Sequence, residues 1–190
     1  MMQPGMGSFN LVYQNEHLEE EFEILDPILV PIGDYQFLST STMLQTPMSR
    51  HFYTTFMFEG GEYYDGYKWS PSLEPAWVIG ASIELGGIYR FDYVDFPDRD
   101  QRLTNHIAGL RALYMLNTKV SLSAYVQYNT AIHKVISNIR FRYNPKEGTD
   151  LYIVFNEGRN TQLEREIPTL PAYDERNITV KFTYTFELQR

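Results

Sequence analysis

"KVSLSAYVQYN", residues 119–129, decides how the chain is read. Val120, Leu122, Ala124, Val126 and Tyr128 fall on one side of an extended backbone. Lys119, Ser121, Ser123, Gln127 and Asn129 fall on the other, with Tyr125 among them. A period of two belongs to a β-strand with one apolar and one polar face. That apolar face must meet either a protein core or lipid.

The same alternation recurs along the chain. It takes in Ile79, Ala81, Ile83, Leu85, Gly87, Tyr89, Phe91 and Tyr93, then Ala108, Leu110, Ala112, Tyr114 and Leu116. It returns in Val135, Ser137, Ile139, Phe141 and Tyr143, in Leu151, Ile153 and Phe155, and in Ile178, Val180, Phe182, Tyr184 and Phe186. Less regular runs cover 8–14, 34–44, 50–59 and 63–70. The breaks carry turn chemistry: "LDPILVPIGD", "QTPMS", "EGGE", "SPSLEPA", "DFPDRDQ", "NT", "NTAIH", "NPKEG" and a long stretch from Asn156 to Glu175. Strands joined by short turns are antiparallel. The expected fold is all-β, an antiparallel up-and-down meander of about 8–10 strands, either a transmembrane β-barrel or the C-terminal part of one. Nothing marks a second domain, so residues 1–190 read as one.

Composition narrows the function classes. Aromatics make up 15% of the chain, a bias that favours strands. No apolar run reaches the roughly 18 residues of a membrane helix, which leaves a barrel open because its strands are only half apolar. A net charge of -8 with no basic stripe argues against nucleic acid as a partner. With no cysteine there are neither disulfides nor thiolate metal sites. "MMQPGMGSFN" has no charged n-region and no apolar h-region, so it is not expected to be a signal peptide.

Three features favour lipid over a soluble barrel or sandwich. The six regular apolar faces contain no Asp, Glu, Lys or Arg. The opposite faces are rich in Ser121, Ser123, Gln127, Asn129, Asn138, Asn156, Thr179, Thr183 and Thr185, which suit a confined, wet interior better than a fully solvated one. The aromatics Tyr93, Tyr114, Tyr128, Tyr143, Tyr184 and Phe186 sit near strand ends, as girdle residues do at water–lipid boundaries. With the C-terminus in the periplasm, the breaks at 45–49, 71–76, 117–118 and 145–148 become inner turns, and those at 94–104 and 157–175 become outer loops. The short links at 60–62 and 130–133 fit that scheme less well. The expected location is the outer membrane, with its lipid as partner.

The candidate functional residues are charges on the polar faces: Glu84, Arg90, Asp92, Arg111, Arg140, Arg142, Asp150 and Lys181. They form either a cross-strand ion network that fills a narrow barrel or the lining of a porin-like pore. A soluble barrel holding an apolar ligand, as lipocalins do, is the alternative class. His17, His51, His106 and His133 have no ligand spacing, and Asp95, Asp98 and Asp100 are too few oxygens for calcium. No nucleophile elbow or phosphate loop occurs, so neither an enzyme nor a cofactor or metal is expected.

"LEEEFEILDPILVPIGDYQF", "EYYDGYKW", "LSAYVQYNTAIHKVISNIRFRYNPKEGTDLYIVFNEG" and the final "VKFTYTF" resemble a family of C-terminal barrel domains of unknown function. That family occurs in outer-membrane proteins of Bacteroidetes-type bacteria. Its barrel domain typically follows a module resembling the family-9 carbohydrate-binding fold. The family's barrel is longer than this chain, so the likeness is to its C-terminal part, and the carbohydrate-binding-like module is absent here. The resemblance implies a role as a pore or surface anchor tied to carbohydrate uptake or binding. It also implies that the barrel-assembly machinery reads the last strand, where Val180, Phe182, Tyr184 and Phe186 keep the alternation and Leu188 continues it.

Overall fold

The computed structural model describes residues 4–25 and 28–186. The strands are β1 (Met6–Leu18), β2 (Phe22–Leu25), β3 (Ile28–Val30), β4 (Gly33–Gln45), β5 (Phe52–Tyr63) and β6 (Gly66–Ile79). There follow β7 (Ile83–Phe96), β8 (Gln101–Met115), β9 (Val120–Asn129), β10 (Lys134–Lys146), β11 (Thr149–Asn160) and β12 (Tyr173–Tyr184). Ten of them form one sheet in the order β1-β4-β5-β6-β7-β8-β9-β10-β11-β12, and β2 and β3 pair separately. The fold is therefore all-β with an up-and-down antiparallel meander, as the alternation foretold.

Four boundaries differ from the sequence reading. "EGGE" is no break, since β5 runs on to Tyr63 and the turn falls at Tyr64 and Asp65. Gly60 and Gly61 instead lie within the strand, where neighbouring atoms leave no room for a Cβ. Gly61 has φ 136°, and a Cβ there would lie 2.6 Å from the Leu38 carbonyl oxygen. "SPSLEPA" is no break either, because β6 carries Pro71 and Pro75 inside it, and the turn falls at residues 80–82. "LDPILVPIGD" contains β3, which pairs with β2, although Asp26 and Pro27 lie outside the described residues. At the C-terminus β12 stops at Tyr184, so Phe186 follows the strand, and Leu188 falls outside the described residues.

The chain divides into two compact units, Met1–Glu74 with Tyr89–His106, and Pro75–Ile88 with Ile107–Arg190. In the first unit Phe9 stands opposite Thr42, Leu11 opposite Thr40 and Tyr13 opposite Leu38. Thr42 and Leu44 in turn face Phe58 and Phe56. The Phe58 ring lies 5.9 Å from that of Trp69, which brings β6 onto the same apolar face. Along the part of β6 in this unit the exposed residues are Tyr67, Trp69 and Leu73, and the buried ones Gly66, Ser70 and Ser72. This unit also holds a dry cluster of Ile28, Val30, Val94 and Phe96, flanked by Leu18, Ile24, Tyr35, Tyr63, Tyr64 and Leu103. The β2–β3 hairpin thus folds onto the strands and brings the two largest fully buried side chains, Val30 and Phe96, together.

In the second unit the central rows of five strands stand in register. Ala108, Leu110, Ala112 and Tyr114 face Tyr128, Val126, Ala124 and Leu122. Tyr128, Val126, Ala124, Leu122 and Val120 face Val135, Ser137, Ile139, Phe141 and Tyr143. Ile139, Phe141 and Tyr143 face Phe155, Ile153 and Leu151, which face Ile178, Val180 and Phe182. The apolar residues that alternation picks out in these rows therefore share one face, and that face is open: Leu110 is 72% exposed and Val180 63%.

Candidate functional site

The opposite face of β8–β12 gathers the polar residues into cross-strand rows. Asn138, Asn156 and Asn177 form a ladder, with Asn156 Nδ2 donating to Asn177 Oδ1 at 3.0 Å and Asn138 Nδ2 donating to Asn156 Oδ1. Such rows arise because a register that aligns the apolar side chains aligns their polar neighbours as well.

The structure brings most of the candidate charges together in pairs. Arg111 Nη2 lies 3.1 Å from Glu84 Oε1. Arg142 reaches Asp150 Oδ1 at 2.9 Å, and Asn144 Nδ2 donates to the same oxygen at 3.0 Å. Arg142, Tyr152 and Lys181 share one row, and Arg140 stands between Ser123 and Val154. Among the described residues neither Arg140 nor Lys181 has an ion-pair partner. Within the first unit Arg90 Nε donates to Asp92 Oδ1 at 2.7 Å, and Asn105 Nδ2 reaches the other Asp92 oxygen at 3.3 Å. These half-exposed pairs contribute little stability each, because water screens them. Their effect is to hold short, neutralised polar groups along one face.

Sequence reasoning missed a second arrangement in the first unit. A concavity of about 270 Å³ is lined by Gln14, Phe37, Ser39, Glu59, Glu62, Tyr63 and Lys68, among others. It lies where the β4–β5 ladder ends at Ser39 opposite Gly61. Beyond that point Glu62 takes over from the backbone, accepting the Leu38 N–H at 2.8 Å. Lys68 Nζ stands 3.4 Å from Glu59 and 5.5 Å from the centre of the Tyr63 ring. The only visible signal was the "EGGE" motif, which has the composition of a turn.

Arg99 fastens the hairpin beside that concavity. Its guanidinium stacks 3.9 Å over the Phe96 ring, pairs with Asp65 at 2.8 Å and donates to the Leu29 carbonyl. Gly66 permits the close packing, since a Cβ there would sit 2.2 Å from the Asp95 carbonyl oxygen. Tyr64 takes the left-handed φ of 53° in the adjoining turn. Burial pushes its hydroxyl up to about 12, and the Glu16 carboxylate beside it acts in the same direction.

The histidines are dispersed. His17 Nδ1 lies 2.7 Å from Asp34, and His106 lies beside the Tyr89 hydroxyl and the Phe91 ring on the apolar side of β7 and β8. Among the described residues no group of three His, Asp or Glu side chains could hold a metal ion. No helix among them is long and apolar enough to cross a membrane, which says nothing of a β-barrel.

No protein-family model, curated protein or solved structure matches this chain.

Proposed function

We propose that this chain is an outer-membrane β-barrel protein, or the C-terminal strands of one, with its apolar face in lipid and its polar face towards a hydrated interior. One observation carries the reading: the central rows of five consecutive strands present an apolar face without charged side chains, in register and uncovered. A water-soluble monomer rarely exposes more than about 300–600 Å² of contiguous apolar surface. Only six hydrophobic residues are buried among those described, a small core for a chain of this length. Aromatic placement supports the same reading. Tyr67 and Trp77 bracket Leu73 on one face of β6, and ten residues of strand span about 33 Å, or about 25 Å when tilted by about 40°, the height of an outer-membrane apolar band.

In lipid, edge strands cannot stay unpaired, because hydrocarbon offers no hydrogen bonds. β1 and β12, the two ends of the strand order, must therefore find partner strands there. The family resemblance supports such partners in a longer barrel, assembly by the barrel machinery reading β12, and a carbohydrate-binding-like module that this barrel anchors. The paired charges of the polar face suit a filled, hydrated interior, and no catalytic role is proposed. The test is fractionation of expressing cells followed by alkaline extraction. The chain is expected in the extraction-resistant outer-membrane pellet. Recovery as a folded protein in the soluble fraction would reject the reading.

A further inference from the structure

The β11–β12 ladder contains one irregularity, and it builds a site. Glu157 faces Arg176 and Gly158 faces Glu175, but Arg159 faces Tyr173, so Asp174 is an extra residue in the bulge. An extra residue reverses the side to which the next side chain points. Tyr173 is thereby turned onto the face of Arg159 and Arg176, the face that carries Ile178, Val180 and Phe182 further along β12. Asp174 is turned to the opposite side, where it pairs with Lys134 and accepts from Asn160 Nδ2 at 2.5 Å. Asn160 is 3% exposed and also fixes the incoming chain, donating to the Pro171 carbonyl at 2.8 Å and to that of Ala172 at 3.0 Å. The bulge is thus pinned from the polar side.

On the apolar side, two guanidiniums converge on one ring. Arg176 lies 3.7 Å from the Tyr173 ring centre and Arg159 lies 5.9 Å from it. Glu157 occupies one edge of Arg176, at 2.6 and 2.7 Å. Arg159 is exposed and has no carboxylate partner among the described residues. Two arginines against one carboxylate leave the site cationic. It begins two residues beyond the last aliphatic of the face, since Phe155 faces Ile178 and Glu157 then faces Arg176. In a membrane that is the level of lipid headgroups, where tyrosine also belongs. A guanidinium offers a planar fork that matches phosphate oxygens, and stacking on a ring pre-orients it.

We infer that Arg159, Arg176 and Tyr173 form a seat for the phosphate of a membrane lipid headgroup at the edge of the apolar face. The inference rests on the membrane reading above. The bulge supplies the seat by placing Tyr173 between the two arginines, and the aliphatic rows below it receive the acyl chains.

The experiment has two arms. Refolding of the full chain into phosphatidylcholine vesicles tests the membrane reading by itself, and failure to enter them rejects that reading. Folded protein is then exchanged into detergent containing phosphatidic acid, washed, and its retained lipid counted by native mass spectrometry. Wild type is expected to keep phosphatidic acid in preference to diacylglycerol, and R159Q to retain about fivefold less, the effect of one arginine at a lipid surface. R159K, which keeps the charge and loses the fork, is expected to fall between them. Inorganic phosphate at equal concentration should not displace the lipid. Equal retention by wild type and R159Q, or no preference for the phosphate lipid by wild type alone, overturns the seat. Full displacement by inorganic phosphate overturns the lipid as its occupant.

Discussion

Ile153 on β11 stands directly opposite Val180 on β12, and both remain open to the surroundings, at 39% and 63% exposure. Their lateral neighbours Phe141 and Leu122 continue the row across β10 and β9. This exposed apolar row is the surface that the proposed function places in lipid. Val180→Arg and Leu122→Arg should therefore each cost about 2–4 kcal/mol of folding in a bilayer, as a charge near its midplane does. Thr183→Arg and Ser123→Arg, three residues and one residue along on the other face, should be tolerated. Refolding yield in liposomes separates the two sets, and equal losses would mean that the faces are wrongly assigned.

Arg99 holds the β2–β3 hairpin by a stack, an ion pair and a backbone hydrogen bond at once. Arg99→Met should loosen the hairpin by about 2 kcal/mol, the usual worth of a charged hydrogen bond plus a cation–π contact. Ile28→Ala, which empties part of the dry cluster, should cost about 2–5 kcal/mol. Limited proteolysis within residues 19–32 reads both, and cleavage there should accelerate while the β8–β12 strands stay resistant.

The same cluster should be alkali-sensitive. The Tyr64 hydroxyl is held neutral up to about 12, above its ordinary value of 10. A pKa raised in the fold favours the protonated form, so its contribution is fully present below pH 10 and lost as the pH climbs through about 12. Tyrosinate absorbance should show one tyrosine ionising late, together with opening of the hairpin. Tyr64→Phe should remove that late step.

The Glu84–Arg111 pair is half-exposed and should matter little. A double-mutant cycle with Glu84→Gln and Arg111→Gln is expected to give a coupling of about 0.2–1 kcal/mol. A much larger coupling would indicate a dry, tightly filled interior instead of a hydrated one.

Strands β8–β12 were legible because each keeps one phase of alternation through its apolar rows, and register there follows from that phase. β6 was not. Proline removes a ladder donor and is usually confined to edges, so Pro71 and Pro75 read as a break, although Trp69, Leu73 and Trp77 keep phase through them. The β2–β3 hairpin was hidden for a different reason. Its short strands are stabilised by packing against Val94 and Phe96, distant residues that no local pattern connects to Ile28 and Val30. Among the candidate charges, Glu84 pairs with Arg111 and Arg142 with Asp150 while Arg140 and Lys181 stand apart from the pairs, a distinction that parity alone does not carry. The Asp174 bulge leaves no trace in composition, since it arises from the fit between Arg159 and Tyr173 across two strands.

The chain contains two tryptophans, Trp69 and Trp77, both exposed on the apolar face of β6 and near its opposite ends. They report directly on what covers that face. The protein should be refolded into vesicles of lipids brominated either near the headgroup or deep in the acyl chain, with Trp69→Phe and Trp77→Phe used to isolate each signal. Both tryptophans should be quenched, more strongly by the shallow bromines, and neither by aqueous iodide. Quenching by iodide with no response to brominated lipid would contradict the assignment of this face to the membrane.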